Sequence, residues 1–148
     1  MSKVKAGSHI APFGFNSSLL MLIDLALFRD IEFHDDHEKT VDVGPGLQWT
    51  DVYKYFIDNK IPRNVVGATS CQGVGVAGFL LGGGYGNKAN QYGLAMDNIC
   101  AMELVTPNGE IKQITEDPRP GNLSWALRVR FDHSTSLCVF NPSLGWGE

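Results

Sequence analysis

A chain of 148 residues has room for one domain and one core. With 43% hydrophobic and 19% charged residues it reads as globular, and this composition excludes a disordered tail or a low-complexity linker. The net charge of −4 comes without a basic patch, and the glycine–aromatic segment lacks the lysines of a strand-binding groove, so nucleic acid is not expected as a partner. The apolar run 19–28 is too short for a membrane span and contains Asp24. MSKVKAGSHI starts basic but has no apolar stretch behind it, so no signal peptide is read and the compartment stays open. Cys71, Cys100 and Cys138 cannot all pair, and no CxxC or Cys/His metal spacing occurs. The sequons at Asn16 and Asn122 are too common by chance to decide anything.

In chain order, residues 5–9 (KAGSH) form a short polar entry bent at Gly7. Residues 20–25 predict a buried strand. Residues 31–33 and 40–43 predict two strands joined by the polar turn HDDHEK. His34 and His37 lie at that turn with Asp35 and Asp36, but an HxxH on a turn supplies no fixed third and fourth metal ligand, so a solvated tip is expected. After Gly44-Pro45-Gly46, a helix is predicted from about Thr50, with Trp49, Val52, Tyr53, Phe56 and Ile57 forming one core-facing stripe. Asn59 and Pro62 end it. Residues 96–105 and 110–115 predict two strands around the turn Pro107-Asn108-Gly109.

Between them, residues 73–86 read GVGVAGFLLGGGYG, in which seven of fourteen positions are glycine. Glycine gives up backbone entropy and packing, so it concentrates where backbone bends sharply or comes very close to something. Val74, Val76, Phe79, Leu80 and Leu81 argue against a flexible linker. The expectation is an ordered, mostly non-helical loop at a sheet edge whose bare amides face an anion, such as a nucleotide phosphate. Gly73, Gly75 and Gly78 spell GxGxxG, with Asp97 about 20 residues beyond, as a dinucleotide fingerprint wants. That motif must open a crossover helix, and Gly82, Gly83 and Gly84 cost roughly 1 kcal/mol each in one. A P-loop fails too, because Asn87 and Lys88 follow Gly86 where Lys-Ser or Lys-Thr is required.

Three segments in register, CQGVGVAGFLLGGGYG, QYGLAMDN and ELVTPNGE, resemble the FAD-binding domain of the vanillyl-alcohol-oxidase and berberine-bridge-enzyme-like flavoproteins over roughly 5–128. The resemblance implies an α+β fold: the second subdomain of an FAD-binding PCMH-type domain, a small mixed or antiparallel sheet with a few helices and a glycine-rich cofactor loop. It also implies that His9 occupies the position at which many members bond the flavin 8α-methyl covalently. That bond calls for a nucleophilic imidazole nitrogen. Ser8 departs from the family by standing where a second glycine is usual. Cys71 sits at the C-x-x-V-G position used for a second link through sulfur to C6 of the ring, although the spacing before it differs, and a buried inert thiol is the other reading. Further cofactor contacts are implied at Gly73, Val74, Gly75, Gly78, Gly82, Gly83, Gly84, Tyr85, Gly86, Tyr92, Gly93, Asp97 and Asn98. For Asp97 and Asn98 an ordinary cap or turn pair is an equal alternative.

Leu123 to Arg128 still resembles the family, and residues 129–148 do not, so the expected organisation is a partial FAD-binding domain over 1–128 followed by a divergent tail. That break reads as a shifted frame, a retained intron or a truncated gene model. Against the family, the chain is expected to lack a first βαβ subdomain, the closing glycine segment and the substrate domain. The implied activity is oxidation of an alcohol, sugar or alkaloid carbon by FAD, with molecular oxygen reoxidising the flavin. Catalytic bases in the family come mainly from the substrate domain, so none is named. The chain by itself is expected to turn over no substrate and to hold flavin poorly. The competing expectation is a cofactor-free remnant or interaction protein.

Overall fold

Two hairpins and an intervening helical segment supply most of the backbone pairing. The computed structural model describes residues 2–7, 21–35, 40–68, 72–115 and 140–144. Strands β1 (Ser2–Lys5) and β2 (Met21–Asp24) form a parallel pair, and β3 (Ile31–His34) and β4 (Thr40–Val43) an antiparallel hairpin. Helices α1 (Trp49–Asp58), α2 (Val76–Leu81) and α3 (Ala89–Tyr92) follow, then a 3-10 turn over Ala95–Asn98. Strands β5 (Ile99–Val105), β6 (Ile111–Thr115) and β7 (Phe140–Leu144) complete the order. The larger sheet runs β3-β4-β7-β5-β6 with every neighbour antiparallel. No parallel crossover unit exists in it, which removes the dinucleotide-fingerprint reading on topology as well.

The core lies between that sheet and the helical segment. Val41 and Val43 of β4, and Met102 and Leu104 of β5, alternate inward against Trp49, Val52 and Phe56 of α1 and Val76, Ala77 and Leu80 of α2. Burying a side chain of the size of Val or Leu contributes roughly 1.5–3 kcal/mol, so Val41, Val43, Val52, Val76 and Leu80, all essentially inaccessible, anchor the layers. Trp49 meets Phe79 edge-on at 5.5 Å between ring centroids. Its Nε1 is buried with no hydrogen-bond partner among the described residues, a cost on the order of 1–3 kcal/mol that the packing of the ring offsets.

Helix α1 begins where the stripe predicts. The Asp51 carboxylate accepts the Gln48 backbone N–H at 3.0 Å and also receives Arg29 at 3.0 Å. It ends at Asn59, whose N–H donates to Tyr55 O, while Ile61 N–H donates back to Phe56 O across Lys60, which has φ 54°. Ile57 departs from expectation by being 75% exposed. It stands one residue, or about 100° around the helix, beyond Phe56 and past the edge of the sheet contact.

Two other expectations are corrected. The strand at 21–24 exists but is not buried: Met21 and Leu22 are exposed, and only Leu25, just past it, is inaccessible. An apolar run reports strand tendency, whereas burial needs a second layer. The strand predicted from Met96 starts at Ile99, because Asp97 and Asn98 fold the preceding residues into a turn. Residues 140–144, in the tail read as divergent from the family, form β7 between β4 and β5. Pro142 obscured this strand, since proline donates no ladder hydrogen bond. Pairing with β4 is confined to Leu144 and Ser143, while Pro142 is paired on the β5 side with Met102.

The hairpin at 105–111 forms as predicted: Gly109 adopts φ 83°, its N–H donates to Thr106 O, and Thr106 N–H donates to Glu110 O. The first hairpin also forms, with His34 Nε2 3.2 Å from Asp42 Oδ2. Asp36 and His37 lie outside the described residues. Among the described residues no three His, Cys, Asp or Glu side chains gather into a metal-sized group, and no helix is long and apolar enough to cross a membrane.

Candidate functional site: the glycine-rich segment

The segment 73–86 is ordered but not wholly loop. Gly75, extended at ψ 142°, caps the six-residue helix α2, which corrects the non-helical expectation for Val76–Leu81. Burial of Val76, Ala77 and Leu80 outweighs the helix penalty of Gly78, roughly 1 kcal/mol. The glycine triplet then acts as predicted, since the helix stops at Leu81 and Gly83 and Gly84 take φ 93° and 74°. No helix continues through Asn87.

Several elements hold this segment. Gly75 bridges to Gln48, Trp49 N–H donates to Val74 O, and Val76 N–H donates to Leu47 O, so its start is fixed on the N-terminus of α1. Met96 N–H donates to Gly83 O and Ala95 N–H to Gly84 O, so its end is fixed on the 3-10 turn. That turn is braced in its own right. Asp97 Oδ2 accepts Leu94 N–H at 2.9 Å, and Asn98 Nδ2 donates to Leu94 O at 2.8 Å and Tyr92 O at 3.1 Å. The turn-pair reading of Asp97 and Asn98 is thus visible in the structure, and these contacts occupy both amide protons of Asn98. Tyr92 lies under Lys88, with Nζ 5.7 Å from the ring centroid. Gly93 has φ 78° and ends α3.

The glycines divide by what surrounds them. A side chain on Gly75 would begin 2.5 Å from Gly7 N, one on Gly84 would begin 2.5 Å from the Ala95 methyl, and one on Gly86 would meet Gly67 O. These three are buried against the protein itself. Gly78 is different: it is exposed, and nothing lies within 4 Å of where its side chain would start. Gly82 and Tyr85 are exposed as well, Tyr85 at 74%. The glycines are therefore not alike, and Gly7, expected only as a bend, packs on Gly75. Gly67, which no sequence motif singles out, admits the Trp49 ring and the Tyr53 hydroxyl by lacking a side chain. The signal available for Gly67 was its position ahead of a small residue after Val65-Val66, which is weak.

Tyr53 donates to Ala68 O at 2.7 Å, and burial pushes its phenol up to about 12. It is a neutral donor that ties α1 to the backbone at Ala68 ahead of the segment, not a base. At the chain start, Asp24 is held below the usual carboxylate range by its hydrogen bond from Lys5, at 2.9 Å, and by the Ala26 N–H. This ion pair ties β1 to β2 immediately before Gly7. His9 and Cys71 lie outside the described residues.

The residues present fit a flat, anionic cofactor. The exposed face around Gly78 and Gly82 offers bare backbone, Tyr85 is exposed nearby in sequence, and no carboxylate belongs to the segment.

The chain matches the FAD binding domain family over residues 4–115. An FAD-dependent monooxygenase of Cochliobolus heterostrophus is 32% identical over 153 aligned positions, covering 97% of this chain and 28% of its own length. Tetrahydroberberine oxidase of Argemone mexicana is 35% identical over 130 positions, covering 85% of this chain and 23% of its own. The crystal structure of 6-hydroxy-D-nicotine oxidase of Arthrobacter nicotinovorans superposes with a TM-score of 0.79 at 28% identity, over 99% of this chain and 31% of that one. The chain therefore spans about a quarter of the length of the curated relatives it matches. A cofactor-free remnant is not what these likenesses favour. With the antiparallel sheet, the capped glycine segment and this match over 4–115, the chain belongs to the FAD binding domain family of the berberine-bridge-enzyme-like flavoproteins, whose cofactor is FAD.

Proposed function

We propose that this chain is the FAD-holding part of an FAD-dependent oxidoreductase acting on a small organic molecule, with the cofactor lying on the glycine-rich segment. One observation supports this above the others: Gly78 presents bare backbone with open space before it, whereas the buried glycines around it are filled by the protein's own atoms. Bound FAD would supply the redox chemistry by taking two electrons from a carbon–hydrogen bond of the substrate. Gly73, Gly78 and Gly82 would hold it, Tyr85 would flank it, and Val74, Gly75, Gly83, Gly84, Gly86, Tyr92, Gly93, Asp97 and Asn98 would keep the surface in shape.

His9 is proposed as the point of covalent attachment. Its imidazole nitrogen would give up its N–H proton and bond the 8α carbon in place of one methyl hydrogen, and FAD with molecular oxygen as final acceptor would supply the two-electron oxidation that this bond requires. Two of the relatives are an oxidase and a monooxygenase by name, which supports oxygen as acceptor, and the name tetrahydroberberine oxidase supports the alkaloid among the proposed alcohol, sugar or alkaloid substrates. Cys71 is the candidate for a second link, and Cys71→Ala separates that from an inert thiol.

The deciding experiment is a titration with FAD of the protein produced from the full gene, followed by its visible spectrum and by flavin fluorescence after denaturation. A yellow protein whose flavin stays on the denatured chain, and is released by His9→Ala, is the expected result. A protein that remains colourless after refolding with excess FAD overturns the proposal.

A further inference from the structure

We propose that the groove beside the C-terminal half of α1 binds a small organic anion with an apolar body, such as an aryl carboxylate or sulfonate. The cavity there holds about 460 Å³, within the range of sites for small organic molecules. Tyr53, Phe56, Ile57 and Lys60 line one side at the i, i+3, i+4, i+7 spacing, and the returning chain supplies Ile61 and Arg63 on the other. Phe56 is nearly inaccessible and closes the bottom. Ile57 is 75% exposed, which leaves a large apolar side chain on the rim with little protein against it.

The charges decide which ligand suits it. Among the described residues the Lys60 ammonium has no hydrogen-bond or ion-pair partner, and no carboxylate lines the cavity. Arg63 Nη2 stands 3.8 Å from Asp35 Oδ1, too far for a hydrogen bond, and that carboxylate is itself 71% exposed. The negative end of α1 does not oppose an anion here, because Tyr55 O, Phe56 O and Ile57 O accept the N–H groups of Asn59, Ile61 and Lys60. Lys60 also holds φ 54°, a helix-end conformation in which glycine is usual, so a lysine stands at this rim at a cost of about 1–2 kcal/mol. Strained residues of this kind gather at ligand sites. The groove lies at the far end of the ten-residue helix from the Gln48–Gly75 bridge, roughly 15 Å along its axis, so the inference stands apart from the FAD reading.

The test uses the protein produced from the full gene, with 8-anilinonaphthalene-1-sulfonate as the probe. Fluorescence titrations compare wild type with Lys60→Gly, Arg63→Gln and Ile57→Glu, and thermal melting checks that each variant folds. The wild type is expected to bind the dye saturably, with an affinity that falls as salt is added. Lys60→Gly and Arg63→Gln should each weaken binding about 3- to 10-fold, as loss of one partly exposed charge contact implies. Ile57→Glu, which sets a carboxylate on the rim, should weaken it by more than about 10-fold. Lys60→Gly relieves the strained backbone, so its loss of binding is not a loss of fold. Unchanged affinity in both charge variants overturns the proposal, and unchanged affinity in Ile57→Glu does so too by placing the dye elsewhere. A wild type that binds no dye also overturns it. The groove is then covered, by the rest of the chain if Ile57→Glu lowers the melting temperature of a monomer, or by a second copy if Ile57→Glu splits a dimer.

Discussion

Within fourteen residues, glycine does two different things. Gly75, Gly84 and Gly86 are buried where the chain crosses itself, each against a backbone or methyl group that leaves no room for a side chain. Gly78, between them, faces open space on the exposed side of α2. The first group keeps the segment in place and the second leaves it accessible. A glycine-rich motif is therefore not a uniform phosphate cradle, because most of its glycines serve internal packing and only a few are left to meet a ligand.

The comparison breaks most directly at Gly84. Alanine there meets the Ala95 methyl and the Phe79 ring, and must also hold φ 74°. Overpacking costs about 1–3 kcal/mol and the left-handed backbone about 1–2 more, so Gly84→Ala should lose roughly 3 kcal/mol in a urea titration. A loss within experimental error would mean that this glycine is not packed as described.

Next in size is the support beneath Gly67. Tyr53→Phe deletes the hydroxyl that donates to Ala68 O and should cost about 1 kcal/mol at neutral pH. The same residue predicts a pH effect. Its folded pKa of about 12 lies above the ordinary 10.0, because burial disfavours the phenolate. The stability tied to the neutral phenol is whole below pH 10 and declines as pH rises through 12, since the unfolded chain gives up its proton first. Melting curves between pH 9 and 12 should fall less steeply in Tyr53→Phe than in wild type; equal slopes would remove the burial argument.

Gly78→Ala should move the other way. It replaces glycine within a helix, where nothing stands near the new methyl, so the fold should gain up to about 1 kcal/mol. FAD affinity should drop in the same variant if the open face is where the cofactor approaches. Unchanged affinity would shift the site away from Gly78 without disturbing the packing account.

How much of this was legible follows the same division. The stripe Trp49, Val52, Phe56 marked α1, and Pro107-Asn108-Gly109 marked the β5–β6 hairpin, because both signals are local. The three motifs in register marked the family. The contacts Gly7–Gly75 and Gly67–Gly86 were not legible, because glycine carries no pattern that says which distant backbone will approach it. Helix α2 was hidden for a related reason: glycine penalties are written in the sequence, whereas the burial of Val76 and Leu80 that overcomes them is tertiary. Strand β7 was masked by Pro142, whose tolerance depends on where the β4 pairing ends.

The smallest effect tests the rule from its opposite side. Lys60 is the one described residue other than glycine with positive φ, at 54°, and it sits at the end of α1 where the N–H groups of Lys60 and Ile61 donate back to Ile57 O and Phe56 O. This is the position at which helices commonly place glycine, because a side chain in that conformation costs energy. Among the described residues the Lys60 side chain makes no hydrogen bond or ion pair that would be lost on replacement. Lys60→Gly should therefore stabilise the fold by about 0.5–1 kcal/mol, reduced by the extra freedom glycine gives the unfolded chain. Because α1 carries Trp49 and Tyr53, which pack on Gly67 and through it on Gly86, the gain should reach the glycine segment as slower amide exchange at Leu80. A gain in melting temperature confined to α1, with exchange at Leu80 unchanged, would show that the two ends of this layer open independently.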